Sequence, residues 1–279
     1  MGHHYIPQYY LRGFENNGRI WTHDRERNIS FKSSVKSIAN EKALYSEEIE
    51  SFLANKIESP ANAAISKIRK RESITLDERT ALAQYIIFLW KRVPEGRKRA
   101  LQKIPDVADS VQNNTTSEID DAVTKNPELA ERAIELKNKI DELITNHKNN
   151  PSPKLWYTSF DSLPGPRLVE ALLSMNWVFI THEHLQFLTS DNPVFFFEFE
   201  GIGNPRSELS IPLSSSLALW ATRNTIRSGA FVNATSIAVK EINRRTAFNS
   251  TRFIYSELNE SWTLPFVTKG KWQLTRLMP

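Results

Sequence analysis

The sequence predicts an α+β protein, and three observations carry that expectation. Apolar residues recur at helical spacing through most of residues 47–150, giving a helical N-terminal half with a helical arm. Short alternating or apolar runs bounded by Gly, Pro, Asn and Asp fill residues 177–255, giving a strand-rich, mostly antiparallel C-terminal half. Helices and strands are segregated along the chain, which argues against repeated β/α units around a parallel sheet. With 279 residues, 40% of them hydrophobic, the chain can bury a substantial core. Residues 1–279 are expected to form a single α+β domain, with residues 97–150 as a helical arm or insertion within it.

The elements follow in order. The chain opens Met-Gly-His-His-Tyr-Ile-Pro-Gln-Tyr-Tyr-Leu-Arg-Gly-Phe. The residue before Pro7 is biased towards an extended backbone, Pro7 suits the first helical position, and Gly13 suits a stop. An extended lead-in and one or two helical turns are expected. Arg19–Asp24 alternates as a short strand. Residues 47–70 are helical, with Pro60 predicting a break and a fresh N-cap. Thr75 and Glu78 form a capping-box pattern opening a helix that runs through Trp90 and ends before Pro94.

In the arm, Leu129, Ala133, Leu136, Ile140 and Leu143 alternate steps of four and three. That spacing predicts a short seam inside an antiparallel helical pair. Asn149-Asn-Pro-Ser-Pro closes the arm as a linker. Leu168–Met175 is a further helix. Trp177–His182, Gln186–Thr189, Val194–Glu198, Leu209–Ile211 and Leu217–Thr222 are strands, residues 236–250 a helix, and Arg252–Tyr255 a last strand.

Composition removes several chemistries. Without cysteine the chain holds no disulfide, no thiolate zinc site and no cysteine nucleophile. It has no Gly-x-Gly-x-x-Gly, Walker loop, Gly-x-Ser-x-Gly or His-Glu-x-x-His. No apolar run reaches membrane-spanning length and no secretory signal is visible, so a cytoplasmic protein away from membranes is expected. The formal charge of +4 is unevenly spread. Residues 60–103 hold eleven bases against four acids, residues 104–145 ten acids against four bases, and residues 205–279 ten bases against four acids. Such basic regions attract nucleic acid or a nucleotide, although opposite charges meeting on a solvated surface explain them as simply.

Two segments concentrate groups able to do chemistry. On a short helix, Pro7, Tyr10, Leu11 and Phe14 share one side as anchors, while Gln8 and Arg12, at i and i+4, share another. In the extended lead-in His3 and His4 point to opposite sides, so only one belongs to a site. The second segment is Thr189-Ser-Asp-Asn-Pro, where Asp191 and Asn192 follow an apolar strand on a rigid scaffold. Asp and Asn also initiate turns by bonding their own backbone, which alone would explain them. His182 and His184, two apart, share a strand face and could both reach one metal. Solvated histidines at a hairpin tip are the simpler reading, so no metal site is assigned and the cofactor is left unknown.

His3-His-Tyr-Ile-Pro-Gln-Tyr-Tyr-Leu-Arg-Gly-Phe resembles the opening signature of the domain-of-unknown-function family 4238, His-Tyr-x-Pro-Gln-x-Tyr-Leu-Arg-x-Phe. Later matches occur in order: Glu58 at the start of a helix, Arg92-Val-Pro94, Ser190–Pro193, Ile211-Pro-Leu-Ser, Asn243, and Arg252–Ser256. The acidic arm has no counterpart. The resemblance implies positions of interest rather than a settled reaction. His4, Gln8, Arg12, Asp191 and Asn192 are the implied catalytic set, with Tyr9, Glu58, Arg92, Asn243 and Arg252 around the substrate. A hydrolase or nuclease acting on a phosphate-bearing substrate is the leading expectation. The alternatives are a nucleic-acid or nucleotide binding module without turnover, and a protein-interaction component docking through the 97–150 arm.

Overall fold

The structure, a computed structural model, describes all residues except 1, 43, 45, 151, 153–155, 157–159, 161–162, 198–201 and 278–279. The chain is α+β and falls into two compact units, residues 1–95 with 162–279, and residues 96–161.

The first unit begins with β1 (Gly2–His4), paired antiparallel with β4 (Asn40–Lys42). Between them lie α1 (Gln8–Leu11), a 3-10 turn over Arg12–Phe14, β2 (Ile20–Asp24) and β3 (Ile29–Ser33). Pro7 acts as the N-cap, with ψ 136°, and Gln8 takes the first helical position. The proline is one residue earlier than expected because its extended ψ turns the chain from β1 into the helix.

Residues 47–69 form one continuous helical run rather than two helices. α2 (Glu47–Phe52) passes through a π-helical stretch, Leu53–Glu58, into α3 (Ser59–Arg69). Pro60 cannot donate the usual i→i−4 bond, and the wider π turn just before it accommodates that loss without a break. α4 (Leu76–Arg92) opens on the Thr75/Glu78 capping box, with both reciprocal bonds present, and stops at Val93 before Pro94.

After α8 (Pro166–Leu173; α5 to α7 are described below) come β5 (Asn176–Thr181), β6 (Thr189–Ser190), β7 (Phe195–Phe196), β8 (Glu208–Ser214), β9 (Leu217–Thr222) and β10 (Ala230–Asn233). The chain continues with α9 (Ser236–Asn249), β11 (Phe253–Ser256) and α10 (Thr263–Val267). A five-stranded sheet has the order β10-β5-β9-β8-β7 and a four-stranded sheet the order β3-β2-β11-β6. All pairings are antiparallel except β10 with β5. Val178, Ile180, Ala218 and Trp220 of the larger sheet pack against Val239 and Ile242 of α9. The strands expected at 186–189 and 194–198 are shorter, because their ends bond to side chains and loops instead of a neighbouring strand. Glu198 lies outside the described residues.

The second unit takes in most of α5 (Pro94–Gln102), then α6 (Ile104–Lys125) and α7 (Ala130–Asn149). α6 and α7 run antiparallel, tied by Gln112 to Asp141 at 2.7 Å, Lys137 to Asp120 at 2.5 Å, and Lys148 to Asp109. The expected apolar seam is only partly closed. Ala133 is buried, but Leu136 and Leu143 are 48% and 59% exposed. A lone helical pair has too little facing surface to cover a stripe on both members, and polar cross-links supply much of the contact. Within the predicted linker, Pro151 and Pro153 lie outside the described residues. Among the described residues no helix is long and apolar enough to cross a membrane.

Candidate functional site

The opening motif is bolted down by its apolar side. Ile6, Tyr10, Leu11 and Phe14 are fully buried. The Tyr10 hydroxyl donates to the Pro212 carbonyl at 2.6 Å and lies 2.7 Å from Thr189 Oγ1, joining α1 to both C-terminal sheets. Arg69 of α3 donates to the carbonyls of Tyr10 and Leu213, both at 2.9 Å, and of Tyr9 at 3.3 Å. Its guanidinium also lies over the Tyr9 ring. This places Gly13 differently from expectation: the 3-10 turn continues through it. A Cβ there would lie 2.4 Å from the Arg69 guanidinium and 2.6 Å from the Leu213 carbonyl. Close approach, not helix termination, is what requires glycine.

The polar residues of the motif behave oppositely. Gln8 is half-buried and Arg12 exposed, and neither side chain has a hydrogen bond or ion pair among the described residues. His4 is half-buried, and its Nε2 is buried with no hydrogen-bond partner. His3, on the other side of the strand, is buried and lies 3.9 Å from Glu47. The alternation therefore separates the two histidines as β geometry requires.

Behind His4 sits an ion pair that the sequence could indicate only as scattered matches. Arg92, at the end of α4, donates to Glu58, the last residue of the π-helical stretch, and to the His4 carbonyl. Tyr85, two turns back on the same side of α4, is buried with an unpartnered hydroxyl. Burial, and then the Glu58 charge, hold that phenol well above its ordinary pKa. Tyr85 was not singled out from sequence, since an aromatic on an apolar helix face carries no distinguishing signal.

Asp191 and Asn192 are buried, at 4% and 1% exposure; the Asp191 carboxylate and the Asn192 amide nitrogen bind backbone, while Asn192 Oδ1 is buried without a hydrogen-bond partner. The Asp191 carboxylate accepts from the amides of Thr251 at 2.8 Å, Arg252 at 2.7 Å and Phe253 at 2.8 Å, clamping the turn between α9 and β11. Burial pushes its pKa up to about 6, against those three amides and the Arg25 charge, which pull it down. Asn192 donates to the Asn249 carbonyl at 2.9 Å, and Asn249 donates back to the carbonyls of Asn192 and Val194. Asn243 bridges the Leu188 amide and Gln186 carbonyl. Arg252 makes a two-point pair with Asp24, at 2.6 and 3.1 Å, which is the main cause of that carboxylate's lowered pKa.

The sequence-derived residues thus fall into two groups. His4, Glu58 and Arg92 meet in one network, with Gln8, Tyr9 and Arg12 on the adjoining turn. Asp191, Asn192, Asn243 and Arg252 tie strands and turns of the C-terminal half together. A neighbour of the first group does approach the second: Tyr5, next to His4, feels the Asp191 charge and bonds to Tyr255. At the hairpin tip, His182 Nδ1 accepts from the amides of His184 and Leu185, both at 3.0 Å, so that imidazole caps its own turn. Among the described residues no cluster of three or more metal-ligating side chains forms.

A family model described as a protein of unknown function, DUF4238, matches residues 2–259. The chain belongs to this family. The match takes in every sequence-derived site residue and stops before α10 and the C-terminal segment. Neither the curated proteins nor the solved structures gave a match. Membership in the DUF4238 family therefore brings no reaction with it.

Proposed function

We propose that the protein hydrolyses a phosphate-bearing substrate on the outer face of its opening motif. One observation carries this reading. Within a dozen residues the apolar side chains are wholly consumed by packing, whereas an imidazole, an amide and a guanidinium make no bond that the fold needs. Buried or half-buried polar groups are ordinarily satisfied, so an unspent set invites a ligand. The half-buried His4 imidazole would take the proton of the attacking water and return it to the leaving oxygen, while Gln8 and Arg12 hold the anionic phosphoryl oxygens. The Arg92–Glu58 pair would position His4 through its carbonyl. Asp191 acts at a distance by fixing the turn beside Tyr5.

A second reading, binding of nucleic acid or a nucleotide without turnover, draws support from His4 itself, which has no carboxylate partner among the described residues to orient it. The two separate on wild-type protein, His4→Gln and Arg12→Ala assayed against RNA, DNA and an activated aryl phosphodiester. Hydrolysis lost in His4→Gln with binding retained supports the enzyme. Undiminished turnover in His4→Gln sinks it. Binding lost in Arg12→Ala, with no turnover by the wild type, supports the binder.

A further inference from the structure

One face of β5 packs against α9 through Val178 and Ile180; the opposite face is covered along β5 and partly exposed only at β10. Strand alternation puts Trp177 and Phe179, both buried, on that opposite face, and the parallel register sets Phe231 beside Phe179. The Phe179 and Phe231 rings stack with centroids 5.0 Å apart, and Phe231 is half-exposed. Over this floor lies a cleft of about 600 Å³, walled by the loop before α4 and the turn at 227–229. That volume lies in the range of small-molecule sites, about 300–1,000 Å³.

The charge in the cleft has one sign. Arg79, in the first turns of α4, enters it with its guanidinium 4.7 Å from the Trp177 ring centroid. One edge of that group is fixed by the carbonyls of Leu173 at 3.1 Å and Met175 at 2.7 Å. Arg227, on the turn before β10, is exposed. Neither arginine has a carboxylate partner among the described residues, and no acid lines the cleft. Two guanidiniums without a carboxylate partner, one of them stacked and oriented, beside a half-exposed aromatic ring recognise a particular chemistry: an anion carried on a flat ring.

We propose that this cleft binds a nucleoside monophosphate, with the base against Phe231 and the phosphate between Arg227 and Arg79. The site is built from other residues than the opening motif, and stands whether or not that motif is hydrolytic. Calorimetry on the full chain with AMP, ribose 5-phosphate and adenosine tests it. AMP is expected to bind more tightly than either fragment. Arg227→Glu, a change at an exposed turn, should weaken AMP by about tenfold or more, as loss of a charge-assisted contact does. Phe231→Ala should bring AMP down to the level of ribose 5-phosphate. The proposal is overturned if AMP does not bind, or if Arg227→Glu binds it as the wild type does. It is equally overturned if the loss occurs in Arg12→Ala instead, which would put the nucleotide on the opening motif.

Discussion

Replacing Asp191 by alanine should destabilise the fold by several kcal/mol, and the cost should depend on pH in a stated direction. The side chain accepts three backbone amides that belong to one turn. Its removal orphans all three donors, on an exposed Thr251 and half-buried Arg252 and Phe253. An unsatisfied buried donor costs about 1–3 kcal/mol, and since this turn can relax towards water, about 3–5 kcal/mol in total is expected. That is a large part of the roughly 5–15 kcal/mol that holds a typical domain together. The pH dependence follows from the raised pKa. Carrying the carboxyl from its ordinary 3.8 to about 6 is worth about 3 kcal/mol. Because the folded value is the higher one, the folded chain holds an extra proton between those two values. The Asp191 contribution is therefore fullest below pH 3.8 and declines as pH rises through about 6. Urea unfolding followed by circular dichroism, for wild type and Asp191→Ala, measures the gap at the two ends of that window. It should be wider at the acid end. An alanine variant within about 1 kcal/mol of wild type at both ends would refute the clamp. A gap that widens as pH rises would refute the raised pKa rather than the clamp. A variant of native stability that has lost only activity would return Asp191 to the reaction.

Two further changes probe how the opening motif is held. Gly13→Ala should cost about 1–3 kcal/mol, because the added carbon meets both the Arg69 guanidinium and the Leu213 carbonyl, and a thermal melt matching wild type would contradict that close approach. Glu58→Gln removes the carboxylate facing the nearly buried Arg92 and should destabilise by about 3 kcal/mol; a loss under about 0.5 kcal/mol in urea unfolding would show that the pair does not hold His4 in place.

Much of this protein was legible in its sequence wherever local chemistry decides. The capping box at Thr75, the stop before Pro94 and the burial of Tyr10, Leu11 and Phe14 each follow from periodicity or from one residue's backbone limits. The segregation of helices from strands likewise determined the α+β class. Contacts between distant segments were not legible. Pro60 predicts a break, and only the π-helical turn before it keeps the run continuous. Gly13 reads as a stop until Arg69, 56 positions later, is seen packed against it. The buried trio of Arg245 with Glu208 at 2.7 Å and Glu241 at 3.6 Å joins β8 to α9 beneath the C-terminal segment, and nothing local marks its members as partners. The opening motif shows the division most clearly. The residue types that supply acid–base and anion-binding chemistry are fixed by the sequence. Which of them the fold consumes depends on three-dimensional neighbours: Asp191 is drawn into the backbone by three amides, while His4, Gln8 and Arg12 are left with bonds to give. A side chain's free valence is a property of its surroundings, so it appears only once the chain is folded.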